Sequence, residues 1–167
     1  MAFKSSIWNR KLHRRAAVAF SVPILVILSS GILLQLKKNA AWIQPPTQRG
    51  AGTVPRIGFD EILKIARSVP EAGIERWEDI ERLDVRPAKG IVKVRARNSW
   101  ELQIDTRTRE VLQTAYRRSD LIENIHDGSW FHETAKLWIF LPSGIVLLLL
   151  LATGLYLFVL PYLAKRR

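Results

Sequence analysis

Apolar positions in this chain gather into two long blocks instead of spreading into amphipathic faces. Ala16 to Leu36 contains no Asp, Glu, Lys, Arg or His, and neither does Leu137 to Ala164. As a helix the first block is about 32 Å long, matching a hydrocarbon core of about 30 Å. The pattern predicts membrane-spanning helices over 16–36 and 137–160. Pro23 is expected to bend the first; Pro142 falls in the first turns of the second, and Pro161 marks where it should stop. The apolar region of a secretory signal is about 7–15 residues and ends in a small-x-small site. The first block instead runs into Lys37-Lys38-Asn39-Ala40, and is read as an uncleaved anchor.

Between the blocks the period changes. Gln44 to Gly52 carries Pro and Gly with no repeat, and 37–57 reads as a linker. Phe59, Ile62, Leu63, Ala66 and Val69 recur at helical steps opposite Asp60, Glu61, Lys64 and Arg67, predicting one amphipathic helix ended by Pro70. Three alternating runs follow, over 80–85, 90–96 and 100–105, with turn residues between them. They predict a three-stranded antiparallel meander, one charged face wet and the other covered by the helix. Asp105 to Leu112 reads as a turn leading into a short extended piece. Ser119 to His132 then offers an N-cap and an apolar stripe of Leu121, Ile122 and Ile125, a short helix expected at the membrane surface before a break at Gly128.

Charge fixes the orientation. The 167 residues hold 26 Lys and Arg against 15 Asp and Glu, a net +11. Residues 1–15 carry five bases and 161–167 carry three, with every acid in between, so the excess sits at the two ends. Such ends are retained in the cytoplasm, which places 37–136 on the far side of the membrane. A nucleic-acid partner is not implied. Trp8, Trp130, Trp138 and Tyr162 lie near the block ends, where amphipathic rings prefer the headgroup level, and Trp42 suits either that belt or the core of the central domain. Zero Cys excludes disulfides, thiolate metal sites and cysteine nucleophiles.

The order of these pieces resembles a known family. One helix, three strands and Trp100-Glu101-Leu102-Gln103-Ile104-Asp105 leading into Thr106-x-Thr108-x-Glu110-Val111-Leu112 resemble the PepSY domain, although Arg109 stands where that family usually has Gly. Lys11-Leu12-His13-Arg14, Ser29-Ser30-Gly31, Ile125-His126-Asp127-Gly128-Ser129 and Ala152-Thr153-Gly154-Leu155 resemble PepSY-associated transmembrane proteins. The resemblance implies an α+β fold: two transmembrane helices flanking a small PepSY-like domain, 58–115, followed by an interfacial segment, 116–136. It also implies a bacterial inner-membrane protein with both termini cytoplasmic and 37–136 periplasmic. Relatives include haem-carrying, ferric-reductase-like membrane proteins, and PepSY modules also occur in propeptides of thermolysin-type proteases.

Chemistry is sparse in the residues themselves. No nucleophile-and-base motif, phosphate loop or metal motif stands out, and no enzymatic activity is expected. Of three histidines, His13 precedes the first span on the cytoplasmic side while His126 and His132 precede the second on the far side, about a bilayer thickness of 30 Å away. A bis-histidine haem b site would then need His13 of two copies, an electron-transfer dimer. His126 has Asp127 beside it as a partner. The small residues Ser29, Ser30 and Gly31, and Ala152, Thr153 and Gly154, are expected to pack helices closely. Lys93, Arg95 and Arg97 alternate along one strand and read as a wet cationic face. The expected function is non-catalytic: an accessory or binding subunit, without a cofactor, associating in the lipid bilayer with a membrane-protein partner or with copies of itself, or regulating an exported protein.

Overall fold

The structure, a computed structural model, describes Ala2–Lys165; Arg166 and Arg167 of the predicted basic tail lie outside the described residues. The chain forms two units, a sheet unit over Gln35–Asp120 and a helical unit made of the chain up to Leu34 and from Leu121 onward.

The sheet unit contains α3 (Phe59–Arg67) and strands β1 (Ile80–Arg86), β2 (Ile91–Ala96), β3 (Trp100–Asp105) and β4 (Val111–Tyr116). All neighbours are antiparallel, in the order β1-β2-β3-β4. The sheet therefore has four strands where three were expected. Val111-Leu112-Gln113-Thr114-Ala115-Tyr116 lacks clean alternation, so its period does not announce a strand. Pairing with β3 supplies what the pattern omits: Trp100 faces Tyr116 with ring centroids 6.0 Å apart, and Gln103 faces Gln113.

One sheet face carries Val92, Val94, Ala96, Leu102 and Ile104, and these join Ile62, Leu63 and Ala66 of α3 in a single buried cluster with Ala72 and Ile74. Phe59, expected on that stripe, is exposed and sits edge-on to Trp77. Arg109 occupies a left-handed backbone conformation, φ 67°, in the turn between β3 and β4. That backbone geometry favours Gly, the residue that the PepSY resemblance leads one to expect there. Asp105 holds that turn by accepting from the N–H groups of Arg107 (2.7 Å) and Thr108 (3.1 Å).

The second sheet face overturns an expectation. Lys93, Glu101, Gln103 and Asp105, read as wet, are all buried. The stretch read as a linker, 37–57, supplies the cover. Pro46 carbonyl accepts from Gln103 Nε2 (3.0 Å), Gln103 Oε1 accepts from the N–H of Gln48 (2.7 Å), and Asp105 Oδ2 accepts from the N–H of Ala51 (2.7 Å). A segment bearing Pro and Gly makes no ladder of its own, so its backbone groups take side-chain partners instead. Gly90 makes this seating possible. It has φ 67°, and a Cβ there would stand 1.9 Å from the carbonyl oxygen of Gly52.

The helical unit contains α1 (Ala2–Ala19), α2 (Ser21–Gln35), a short helix α5 (Glu133–Ala135) and, after a π-helical turn over Lys136–Phe140, α6 (Leu141–Lys165). Helix α4 (Arg118–Asp127) begins in the sheet unit and ends in the helical one. The span predicted over 16–36 is not one straight helix: α1 and α2 meet at Phe20 with a bend of 67°. Pro23 explains the place, because it lacks the N–H that would bond the Ala19 carbonyl and its ring crowds that carbonyl. Among the described residues one helix, Glu133–Tyr162, is by itself long and apolar enough to cross a membrane, and Ile7–Ala19 with Ser21–Gln35 passes the same test only as a bent pair. Pro161 does not stop α6, which runs on to Lys165. So close to the end a proline removes one hydrogen bond and leaves the last turn intact.

Candidate functional site

Two histidines in the helical unit share one local design. His13, on α1, places Nδ1 2.8 Å from the Thr153 hydroxyl of α6, and its Cε1 lies 3.6 Å from where a Cβ on Gly154 would stand. His126, on α4, places Nδ1 3.0 Å from the Ser30 hydroxyl and 3.1 Å from the Ile27 carbonyl of α2, with Cε1 3.4 Å from the Cβ position of Gly31. Each ring thus rests on a hydroxyl-glycine pair, Thr153-Gly154 or Ser30-Gly31. Of the small residues expected to pack helices closely, Ser30, Gly31, Thr153 and Gly154 each lie against an imidazole.

The partners fix the tautomers. A carbonyl only accepts, so His126 Nδ1 donates to Ile27. Thr153 donates its hydroxyl proton to the Leu149 carbonyl (2.8 Å), so it accepts from His13 Nδ1. In the neutral form of either ring, Nε2 would then carry the lone pair. This assignment follows from the hydrogen-bond network. His13 lines a cavity of about 320 Å³ with Leu12, Ala16, Leu149 and Leu150, and His126 lines one of about 460 Å³ with Ile27, Phe140, Gly144 and Leu148.

His13 does not sit at the end of the apolar segment. It meets α6 at Thr153 and Gly154, whereas Gly144 lines the His126 cavity; those ten residues amount to about 15 Å of helix. The separation of a full bilayer assumed straight spans, and the bend at Phe20 removes that assumption. Ser29 donates to the Leu25 carbonyl of its own helix and Ala152 is exposed, so neither joins a seat. Trp8, Trp42, Trp130, Trp138 and Tyr162 are all exposed, Trp138 the most at 79%.

His126 was paired with Asp127 on the sequence alone, and the structure separates them. Asp127 accepts from the N–H of Ser129 (2.9 Å), the hydroxyl of Ser129 (2.6 Å) and Lys136 Nζ (2.6 Å). Burial opposes its charge, but these donors outweigh it and hold the carboxyl at about 2. His132 takes the Thr134 N–H at 3.1 Å and caps α5.

In the sheet unit, pattern reading missed a buried charge network. Glu101 Oε1 accepts from Lys93 Nζ (2.8 Å) and Gln103 Nε2 (3.0 Å), and its Oε2 accepts from Arg117 Nη1 (2.7 Å). Arg117 also pairs with Asp120 at 3.1 Å, and Arg95 approaches Asp120 at 3.8 Å. Burial lowers the affinity of Arg117 for its proton, yet Asp120 and Glu101 more than compensate and raise it. Burial likewise opposes the charge of Asp105, and the N–H groups of Arg107, Ala51 and Thr108 outweigh it, holding the carboxyl below its ordinary value. The signal was present in the sequence: bases alternate on β2 while acids and Gln103 alternate on β3, in register. Among the described residues no buried side-chain polar atom lacks a partner, and no group of three His, Asp or Glu is placed to hold a metal ion.

The family described as the PepSY-associated TM region matches residues 4–162. No curated protein and no solved structure matches the chain.

Proposed function

The chain belongs to the family of the PepSY-associated TM region, and from that premise we propose that it is a two-pass inner-membrane protein whose sheet unit stands in the periplasm as a non-catalytic binding or accessory module. The observation that carries this reading is the surface of α6. Leu148, Leu151, Leu155 and Phe158 are all exposed on a helix long enough to cross a bilayer. An apolar face of this size requires lipid or another membrane helix as its surroundings. The bent pair α1 and α2 supplies the second crossing, and basic residues before and after the two apolar blocks keep both termini cytoplasmic. The accessory role is supported by how the ionisable groups of the sheet are used. Lys93, Glu101, Arg117 and Asp120 engage one another in a buried network, which leaves them to hold the fold and not to act on a substrate.

The chain contains no Cys, so single cysteines report topology against no background. In intact spheroplasts a membrane-impermeant maleimide should label Thr53→Cys and Lys64→Cys but not Asn9→Cys. Labelling of Asn9→Cys alone would reverse the orientation and end this reading. Purification in native detergent followed by mass spectrometry then identifies the partner, or a second copy of the chain.

A second reading is favoured by the histidine tautomers: a haem-bearing electron-transfer subunit acting as a dimer. Metal-ligating histidines commonly donate their other ring N–H to a carbonyl or similar acceptor, as His126 does to Ile27 and His13 to Thr153. Each cavity contains one imidazole, so a second copy would supply the other axial ligand. A haem bound there would supply one-electron chemistry, and the role of His13 and His126 would be to present Nε2. Haem-supplemented protein lacking a Soret band would dismiss this alternative.

A further inference from the structure

The sheet ends in two edges of opposite character. β1 carries Glu81, Arg82, Asp84 and Arg86 and runs into Pro87, and charged side chains and proline on an edge deter pairing with another strand. β4 reads Val111-Leu112-Gln113-Thr114-Ala115-Tyr116, without a charge or a proline. All six residues are half-buried, and the contacts described give their backbone no partner other than β3. The register with β3 shifts beside Leu112, so Gln113 to Tyr116 form a regular stretch whose outward N–H and C=O groups are a template for a further strand. Charge begins just beyond the two ends. The Glu110 carboxylate, before the strand, accepts from the Thr108 hydroxyl at 3.2 Å. Arg118, after it, donates to the Trp42 carbonyl at 3.0 Å and lies over the Tyr116 ring at 5.7 Å. None of these partners is a counter-charge.

We propose that β4 pairs antiparallel with β4 of a second copy of this chain, about a two-fold axis at Thr114, joining two four-stranded sheets into one. Thr114 then faces its twin and Gln113 faces Ala115 of the copy, so no like charges oppose each other along the strand. The flanks select both the occupant and the register. Glu110 lies four positions before Thr114 and Arg118 four after it, so each Glu110 comes opposite the copy's Arg118, twice across the axis. Centring the pair on Gln113 would set Glu110 against Tyr116 and lose both ion pairs. A strand of another protein gains them only by repeating this spacing of charges. The inference rests on the accessory-module reading and deepens it by naming a second copy as the partner.

The test uses the full chain in its own membranes, oxidised and then run without reductant. Residues directly opposite in an antiparallel pair have Cα atoms about 4.5–5.5 Å apart, within the about 4.4–6.8 Å of a disulfide. Thr114→Cys should therefore form a disulfide-linked dimer. Gln113→Cys, offset from its twin by two residues and about 8 Å away, should not. In detergent, sedimentation should show dimerisation weakened about tenfold by Glu110→Arg and equally by Arg118→Glu, since each turns two attractive pairs into repulsive ones. The double variant Glu110→Arg with Arg118→Glu should restore it. No link at Thr114→Cys, equal linking at both positions, or no restoration in the double variant would overturn the inference. So would a Thr114→Cys chain that links to a different protein, because the edge would then have another occupant. Thiol labelling of Thr53→Cys in spheroplasts keeps the two levels apart. A chain labelled there but not cross-linked defeats only this inference, whereas labelling confined to Asn9→Cys defeats the reading beneath it.

Discussion

Glu101 is the residue whose neutralisation should cost the sheet unit most. It is 2% exposed and receives Lys93, Gln103 and Arg117 on its two oxygens. Glu101→Gln preserves volume but leaves one acceptor oxygen where two served, and turns an amide N–H₂ toward donors. Lys93 then stays buried without its counter-charge, while Arg117 retains Asp120. Breaking one side of a buried ion pair costs about 3–5 kcal/mol. Two charge-assisted hydrogen bonds at about 1.5–3 kcal/mol each give a similar figure. A unit of this size is stable by about 5–15 kcal/mol, so the melting temperature should fall by on the order of 20 °C. Circular dichroism of the full chain in detergent reads the melt, and hydrogen exchange of β2 and β3 peptides localises it. Adding Lys93→Met to Glu101→Gln should restore part of the loss, because the stranded cation is removed with its partner. A change below about 1 kcal/mol for Glu101→Gln would show that water reaches this face and that the cover by 44–52 does not seal it.

Further expectations follow from single positions. At Arg109, φ 67°, Arg109→Gly should be more stable than Arg109→Ala by about 1 kcal/mol in chemical denaturation, since both lose the 3.0 Å pair with Glu61 and only glycine relieves the backbone. Gly90→Ala should destabilise the sheet unit by more than about 2 kcal/mol, whereas Gly144→Ala, with open space around it, should leave the melt of the full chain unchanged. Asp105 has its folded pKa lowered, so its stabilisation is complete above the unfolded value near pH 4 and is lost as pH falls through the folded value. Asp105→Asn should flatten the acid limb of a pH–stability curve, and an unchanged slope would remove Asp105 as its cause. His126→Ala should loosen the ends of α2 and α4 in hydrogen exchange, because both the Ser30 and Ile27 contacts go with the ring.

The sequence by itself determined the period of the elements with a regular apolar pattern, though not of β4. Two ionisation-free blocks, the 59–69 helical stripe and three alternating strands are local signals, because the i, i+3, i+4 and i, i+2 spacings depend only on helix and strand geometry. The left-handed turn at Arg109 was equally legible, through the glycine that the PepSY resemblance places there. Tertiary structure alone decided what covers each face. Alternation on β2 and β3 shows that Lys93, Glu101 and Gln103 share a side of the sheet, but their burial depends on backbone from 44–52, some fifty residues earlier, whose composition carries no period. The same limit applied to the histidines. His13 meets Thr153 across 140 residues and His126 meets Ser30 across 96, and only the bend at Phe20 and the placement of α4 bring such distant groups within hydrogen-bonding range. Residue spacing encodes which way a side chain faces within its own element, whereas the group it meets is fixed by how the elements pack.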